Sequence, residues 1–356
     1  MAEVGSTTAT TAPAANLQPP EATDLSREYE TPLGLAHTTM QALKDRIKQH
    51  YDLASDYYVN LWGEHIHHGY WPTDESKATE SKETAQANLI RLLLSISGLD
   101  AAASADKTTL SVLDVGCGVG GTSRFLASEL GARVTGITIS TRQVELATKL
   151  AKTAAGSGSG SGSGISETTD ADTDAGAGGF LSMGKGQVRF LELDAEKMGD
   201  YFEKDAASFD VVWISEALSH FPDKALFFRN AHRVLKPGGK LVLADWFKAQ
   251  GLDTKTFDAD IKPIEDGMLL PPMCTQDGYV KLATDAGLRV FAEPKDISND
   301  VKQTWDLSWA LVQKPSLWAF ALSQGRDGIA FLQAFRAMRR GYANGTFRYA
   351  VMSFEK

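Results

Sequence analysis

A glycine-rich turn is the first feature of this sequence that could do chemistry. The stretch "LDVGCGVGGTSRFLASELG", from Leu113 to Gly131, places Gly116, Gly118 and Gly120 just after Asp114 and just before a helical pattern. Glycines let the backbone approach a ligand closely, and the first N–H groups of a helix point at any anion placed there. The turn therefore predicts a site for a phosphate or a carboxylate. Its spacing, G-x-G-x-G-G, lacks the third glycine placement of the dinucleotide fingerprint.

Polar residues also follow two neighbouring predicted strands. Asp194 and Ala195 end the strand pattern "GQVRFLELDA", where Asp194 suits either an exocyclic amine of a ligand or the N-cap of a helix. The pattern "ARVTGITIS" ends in Thr138, Ile139 and Ser140, without an acidic residue. A dehydrogenase would carry Asp or Glu at that point for the ribose hydroxyls, so this ending argues against NAD.

The segment "SEALSH" supplies Glu216, Ser219 and His220 after a further predicted strand, "FDVVWISEAL". A carboxylate and an imidazole at the carboxyl end of a sheet are suitable general bases. The alternative for His220 is a residue at a helix start, hydrogen-bonded to the backbone.

Histidines and aromatic residues form two further groups. His65, His67 and His68 have no cysteine and no second cluster at ligand spacing, so we expect no metal site. Trp246 and Phe247 directly follow the predicted fifth strand and suit the wall of a pocket for a flat, apolar ligand. Trp305 and Trp309 have helical spacing, which is typical of a core and equally compatible with a pocket lining.

Alternating strand and helix patterns must position these residues. Five strand patterns, the last being "KLVLADWF", alternate with helices between Leu110 and Phe247. This rhythm predicts an α/β fold with a mostly parallel, doubly wound sheet. A sixth strand is predicted after "TQDGYVKLATDAG", and the closing run "FRYAVMSFEK" predicts an edge strand.

Composition limits the class of protein. The 356 residues are 43% hydrophobic and 23% charged, with a formal net charge of -9, which argues against nucleic acid and anionic lipid as partners. Two cysteines, Cys117 and Cys274, are too few for a disulfide framework and fit the cytoplasm. No run approaches the roughly 18 apolar residues of a membrane span. We expect a small-molecule partner, no stable membrane insertion and a monomer or homodimer.

Two segments have the composition of disorder. Residues 1–25 lack a signal core and predict a disordered tail. The low-complexity run "GSGSGSGSGISETTDADTDAGAGG" predicts a mobile surface insertion at about 154–184.

The motifs "VLDVGCGVGGTSRFLA", "VTGITIS", "LDAE", "SEALSHFPDK" and "LKPGGKLVLADW", in this order, resemble those of class I S-adenosylmethionine-dependent methyltransferases. The branch is similar to that of the γ-tocopherol, coclaurine-type and sterol methyltransferases. The resemblance covers about Lys44 to Lys356 apart from the insertion. It implies one domain, 26–356, with a Rossmann-like seven-stranded, mostly parallel sheet and an antiparallel edge strand. It also implies an N-terminal helical cover and a C-terminal lid at about 248–275 and 300–340.

The resemblance assigns residues to S-adenosylmethionine. The methionine part would lie against the glycine turn, the ribose and adenine beyond it, and an N-terminal segment would cover the cofactor. The residues expected to bind the cofactor are Tyr51, His67, His68, Tyr70, Asp114, Gly116, Gly118, Gly120, Thr138, Ile139, Gln143, Asp194, Ala195 and Ser215. Glu216, Ser219 and His220 are the candidate catalytic residues, although the coclaurine-type enzymes have a Glu-His pair where Ser219 precedes His220. Trp246, Phe247, Trp305 and Trp309 are expected to contact the acceptor.

The function implied is methyl transfer from S-adenosylmethionine to a nitrogen or carbon nucleophile of a small aromatic or amine-bearing metabolite. Methyl transfer is an in-line displacement, so such a site must mainly align its reactants and exclude water. Sterol or tocopherol/quinone C-methylation is the alternative activity. A non-catalytic protein that binds S-adenosylmethionine is the alternative of another class.

Overall fold

A computed structural model describes residues 40–100, 109–157, 179–205, 207–312, 318, 322 and 325–356. Its centre is one eight-stranded sheet in the order β3-β4-β2-β1-β5-β6-β8-β7. The strands are β1 Ser111–Val115, β2 Arg133–Thr138, β3 Leu181–Met183, β4 Gly186–Glu192, β5 Phe209–Ser215, β6 Leu235–Lys248, β7 Arg289–Asp296 and β8 Phe347–Glu355.

Five strands run parallel and form the doubly wound centre. β1 pairs with β2 on one side and β5 on the other, β2 continues to β4, and β5 continues to β6. From β1 the chain adds β2 and β4 on one side of the sheet. It then returns and adds β5 and β6 on the other side. A crevice at the carboxyl ends of β1 and β5 is where such sheets bind ligands. The predicted α/β class is confirmed.

The two edges of the sheet differ from the expectation of seven strands. The three-residue β3 pairs antiparallel with β4 and adds an eighth strand. The C-terminal β8 is antiparallel, as predicted, but it lies between β6 and β7 and is not the edge. Both faces of β8 are largely buried, so its apolar run is that of an interior strand.

Helices cover both faces of the sheet. They include α1 Met40–Trp62, α2 Lys82–Ile96, α3 Gly121–Leu130, α4 Thr141–Ser157, α5 Lys224–Val234, α6 Lys262–Gly267, α7 Gln276–Asp285, α8 Gln303–Val312 and α9 Arg326–Asn344. Further helices span Asp74–Thr79, Met198–Tyr201, Thr254–Thr256 and Ser298–Val301, with a π-helix at Phe257–Ile261. Single 3-10 turns lie at Ala195–Lys197, Glu203–Asp205 and Leu218–His220. The Ser81 side chain caps α2 by accepting from the Thr84 N–H, as its position before the helix pattern favours.

The sheet separates two apolar cores. Alternate residues of each strand point to opposite faces, so Val112 and Trp213 belong to one core while Leu113 and Val212 belong to the other. The first core also contains residues of α2, α6, α8 and α9. The C-terminal helices are therefore packed onto the same face of the sheet as α2.

Some predictions fall outside the described residues. The expected tail at 1–25 and most of the expected insertion, 158–178, are among them, and the single domain at 26–356 stays a prediction. No helix in the described part of the chain is long and apolar enough to cross a membrane.

Candidate active site

A cavity of about 240 Å3 lies at the carboxyl ends of the parallel strands. The turn after β1, the ends of β2, β4 and β5, and Trp246 of β6 form its floor. Helix α1 and the segment 64–68 cover it from one side, and residues of α6, α8 and α9 close it from the other. The expected N-terminal cover and C-terminal lid thus meet above the switch point of the sheet.

The glycine turn brings the backbone to the cavity surface. Gly118 has φ +54°, and a Cβ atom there would point into open space, with only Ile66 Cδ1 3.9 Å away. At Gly116, φ +69°, a Cβ would lie 2.3 Å from Ala217 Cβ. Helix α3 starts at Gly121 with no side-chain cap, so its first N–H groups suit an anionic group of a ligand. An amino-acid carboxylate fits this cradle.

The glycine at position 121 is also required by a close contact. A Cβ at this position would lie 2.1 Å from the Glu64 carbonyl oxygen. Only glycine therefore lets the segment 64–68 cross directly over the start of α3. This contact closes the cavity above the turn.

Asp114 is buried beneath the turn, where it accepts a hydrogen bond from Ser123 Oγ at 2.5 Å. Burial raises the pKa of its carboxyl to about 6, partly offset by that hydrogen bond. The side chain nevertheless borders the cavity. It can accept from a ligand's amine or hydroxyl group.

The residues expected at the ribose and adenine line one end of the cavity. Thr138 Oγ1 donates to Gln143 Oε1 at 2.6 Å, which fixes both side chains at the end of β2. Asp194 caps the 3-10 turn 195–197 by accepting from the Glu196 N–H at 3.0 Å. Its second oxygen, Oδ2, accepts from Lys44 Nζ at 2.9 Å. Asp194 is thus both the cap and a cavity residue, and the two interpretations of the sequence are compatible.

Helix α1 is attached to this end by a stripe of charged residues at four-residue spacing. Lys44 pairs with Asp194 and Glu196, and Lys48 donates to the Ile139 carbonyl at 2.8 Å and to Glu192 at 2.7 Å. Asp52 accepts from Ser140 Oγ at 2.6 Å, and Asp56 forms a two-point pair with Arg142 at 2.7 Å. Burial opposes the charge of Lys44, yet its two carboxylate partners hold its pKa above the ordinary value.

Glu216 is a buried anchor at the centre of the cavity floor. Its backbone has φ +55°, a strained conformation for a side chain of this type. Its Oε1 accepts from the His68 N–H and from Tyr349 Oη, both at 2.7 Å, and its Oε2 lies 2.9 Å from His68 Nδ1. Burial opposes ionisation, but His68 and His67 hold the pKa of the carboxyl below its ordinary value. Glu216 is therefore an ionised carboxylate, and its bonds to His68 hold the segment 64–68 in place.

His220 lies at the junction of the two sides. Its Nε2 is 3.1 Å from Tyr51 Oη, and its ring centroid is 6.2 Å from that of Trp246. Burial lowers the pKa of His220 to about 3, and the charges of His50 and Lys224 act in the same direction. Burial and Glu216 raise the pKa of the Tyr51 phenol. At neutral pH the pair is an uncharged imidazole and an uncharged phenol.

Aromatic side chains form the wall beyond His220. Trp305 packs edge-on against Phe335 at 5.0 Å between ring centroids, and Phe335 against Phe331 at 4.8 Å. Met268 and Leu269, after α6, complete this side. Such a wall suits a flat, apolar molecule.

Most of the expected site residues line this one cavity. They are Tyr51, His67, His68, Asp114, Gly116, Gly118, Thr138, Ile139, Gln143, Asp194, Ala195, Ser215, Glu216, His220, Trp246 and Trp305.

Five expected site residues do not line the cavity: Tyr70, Gly120, Ser219, Phe247 and Trp309. Tyr70 packs against the first core. Gly120 is needed for packing, because a Cβ there would lie 2.6 Å from the Phe190 ring. Ser219 is buried under the site and is 1% exposed.

Phe247 and Trp309 lie in other parts of the structure. β6 extends to Lys248, so Trp246 and Phe247 point to opposite faces, and Phe247 packs against Tyr279 in the second core. Trp309 lies under Arg336 and Arg339 outside the cavity.

The sequence analysis missed several lining residues, including Lys44, His50, Tyr58, Ile66, Phe331 and Phe335. The four-residue repeat of charges on α1 was a usable signal for Lys44. The others could not be distinguished from core residues by spacing alone. Among the described residues, no group of three or more His, Cys, Asp or Glu side chains could hold a metal ion.

Comparisons with known proteins agree with this geometry. A family model described as a methyltransferase domain matches residues 113–243, and one described as mycolic acid cyclopropane synthetase matches residues 38–159. The chain is 28% identical over 334 residues to the chloroplastic tocopherol O-methyltransferase of Arabidopsis thaliana, covering 90% of this chain and 84% of the relative.

A second relative, from Amycolatopsis mediterranei (strain S699), is the 27-O-demethylrifamycin SV methyltransferase. It is 32% identical over 266 residues, covering 74% of this chain and 79% of the relative. Among solved structures, a putative sarcosine dimethylglycine methyltransferase from Galdieria sulphuraria shares the fold. Its TM-score is 0.64 at 22% identity, with 86% of this chain and 98% of that chain covered.

The glycine cradle, the strand order and these relatives lead to one conclusion. The chain belongs to the class I S-adenosylmethionine-dependent methyltransferases and is an enzyme that transfers a methyl group from this cofactor.

Proposed function

We propose that the acceptor is a small, flat, apolar aromatic molecule with a hydroxyl group, and that the His220–Tyr51 pair takes the hydroxyl proton. The observation that carries this proposal is the 3.1 Å contact between His220 Nε2 and Tyr51 Oη at a cavity lined by Trp246. The methyl group goes to the oxygen, or to a ring carbon that the ionised hydroxyl activates.

The donor end of the proposed site is the glycine cradle. Bound S-adenosylmethionine supplies an electrophilic methyl group on its sulfonium. The N–H groups at the start of α3 would hold the carboxylate of its methionine part. Thr138, Ile139, Gln143 and Asp194 would contact the ribose and adenine. These contacts bind and orient the cofactor without taking part in the chemical step.

The protonation of His220 suits a hydroxyl acceptor. A phenolic hydroxyl has an ordinary pKa near 10, so it is protonated at neutral pH and needs a base before it attacks. An imidazole whose pKa is about 3 is neutral at that pH and has a lone pair for the proton, but it is a weak base. The hydroxyl proton would therefore pass to it only as the oxygen attacks the methyl group. The mostly apolar lining of the cavity disfavours water there, which favours direct attack on the methyl group over side reactions.

An oxygen acceptor is supported by the Arabidopsis relative, which is named a tocopherol O-methyltransferase. The sequence predicted a nitrogen or carbon nucleophile, with sterol or tocopherol/quinone C-methylation as the alternative. Relatives named 2-methyl-6-phytyl-1,4-hydroquinone methyltransferase and cycloartenol-C-24-methyltransferase support that alternative. An amine-bearing acceptor is the second candidate, because the faces of Trp246 and Trp305 would attract a cation.

The acceptor class can be tested with matched pairs of compounds. The purified enzyme is incubated with isotope-labelled S-adenosylmethionine and with aromatic molecules that differ only in hydroxyl, amine or methoxy substitution. We expect label in the hydroxyl compounds, at oxygen or ring carbon by mass spectrometry, and none in the methoxy compounds. Label confined to the amines would replace the proposal with the second candidate.

We further propose that the enzyme acts in the cytoplasm as a monomer or homodimer. Cys117 and Cys274 are both free thiols, which fits a reducing compartment. The Arabidopsis relative is named chloroplastic, so a plastid is the competing location. Fractionation of the native cells and light scattering of the purified protein test these two points.

A further inference from the structure

A buried lysine lies directly beneath the candidate base. Lys224, the first residue of α5, is 6% exposed. Its Nζ donates to the Ser219 carbonyl oxygen at 3.2 Å and to the Phe221 carbonyl oxygen at 3.0 Å. These two carbonyls are immediately before and after His220 in the chain.

The partners of Lys224 are unusual for a buried ammonium group. Burial lowers its pKa, and a buried cation normally requires a carboxylate in contact. None of the ion pairs that the described residues form includes Lys224. Asp245, Glu265 and Glu196 influence it only from a distance. Its direct bonds are to the backbone, so its charge serves to hold the backbone.

The segment that Lys224 holds is short, and its own backbone bonds are few. Residues Leu218–His220 form a single 3-10 turn, with no side-chain cap, closed by the bonds His220 N–H to Ala217 O and Phe221 N–H to Leu218 O, both 3.0 Å. A turn of this length is weakly stabilised by its own hydrogen bonds. Two charge-assisted bonds on either side of His220 fix its backbone against α5. Ser219 contributes its carbonyl oxygen to this arrangement.

We propose that Lys224 is a positioning residue that holds the His220 turn so that the imidazole meets Tyr51 and the acceptor. This inference rests on the proposed function of His220. Lys224 does not line the cavity and takes no part in proton transfer. Loss of its two bonds would let the turn shift, and a misplacement of about 1 Å at a catalytic group can reduce the rate by roughly a hundredfold.

The test compares Lys224→Met, Lys224→Arg and the control Lys236→Met, since Lys236 pairs with Asp210 away from the cavity. We expect Lys224→Met to lower kcat by about tenfold to a hundredfold while the affinity for S-adenosylhomocysteine is unchanged. Lys224→Arg keeps a cation and donors and should recover part of the rate. It also serves as the test variant should the methionine variant fail to fold.

A double-mutant cycle identifies the route of the effect. In a His220→Ala background, Lys224→Met should cause no further loss of kcat, because the imidazole that it positions is absent. Losses that multiply in the double variant, or a parallel fall in S-adenosylhomocysteine affinity, would overturn the inference.

A spectroscopic readout separates this inference from the proposed function. The ring resonances of 15N-labelled His220 should shift in Lys224→Met and stay unchanged in Lys236→Met. A normal rate in His220→Ala would refute the proposed base while leaving this NMR test valid. Unchanged His220 resonances in Lys224→Met would refute the positioning role even if His220 proves essential.

Discussion

At the scale of single residues, the site depends on which partner each side chain meets. Tyr51 was expected to cover the cofactor, and it does line the cavity, but its hydroxyl contacts His220. Glu216 was expected as a base, yet its oxygens already accept from His68 and Tyr349. Both residue types were recognisable in the sequence. Tyr51 and His220 are 169 positions apart in the chain, and Tyr349 and Glu216 are 133 positions apart. No local pattern specifies either pair.

Burial of neutral His220 predicts a pH-dependent stability. Its folded-state pKa, about 3, is below the ordinary value of 6.5, so between these values the unfolded chain binds a proton that the folded protein does not. Its contribution is complete above pH 6.5 and falls as the pH drops toward 3, by at most about 1.4 kcal/mol per pH unit. The stability difference between wild type and His220→Asn, from denaturant titrations, should therefore shrink as the pH is lowered from 7.5 to 4.5. A difference that stays constant with pH would show that His220 is not buried as a neutral ring.

Replacing Glu216 tests its role as an anchor. Glu216→Gln keeps the shape but puts an NH2 group where an oxygen accepts from His68 or Tyr349. We expect a loss of about 1–3 kcal/mol in the free energy of unfolding, because a buried donor loses its acceptor. Glu145→Gln, at an exposed ion pair, should change this value little. Equal effects of the two substitutions would contradict the anchoring role.

At the scale of elements, the strands and the glycine turn were predictable from the sequence because their signals are local. Apolar runs, the turn after β1 and the N-cap serine of α2 each have a short-range cause. The position of β8 could not be predicted in this way, since an apolar run does not state whether one or both of its edges are paired. The sequence analysis also placed Trp246 and Phe247 after the fifth strand. β6 extends to Lys248, and the alternation along it puts these two side chains on opposite faces of the sheet.

Helix α1 is attached at the ends of β2 and β4 mainly by partly exposed ion pairs. Each such pair contributes roughly 0.2–1 kcal/mol and is screened by salt. Arg142→Glu should repel Asp56, loosen α1 and raise the hydrogen exchange of residues 40–62. Adding Asp56→Arg restores opposite charges and should return exchange to near the wild-type level. Hydrogen exchange that is unchanged by both substitutions would show that apolar contacts alone hold α1.

At the scale of the whole molecule, the two ends of the cavity come from different parts of the chain. The proposed donor end is built by the parallel strands and their turns, and its residue types could be recognised from motif order. The proposed acceptor end is built by α1, α6, α8 and α9, and the aromatic residues of α1, α8 and α9 have the spacing of any core helix. The fold therefore specifies the methyl donor, while the acceptor depends on side chains that only tertiary packing brings together.

The central claim is that neutral His220, with Tyr51, removes the acceptor's proton. Single-turnover transfer of labelled methyl from saturating S-adenosylmethionine to a hydroxylated acceptor should be about 10²–10⁴-fold slower in His220→Ala than in wild type. The affinity for S-adenosylhomocysteine should be the same in both proteins. Equal transfer rates would contradict the claim and leave alignment of the reactants as the only catalytic contribution of the site.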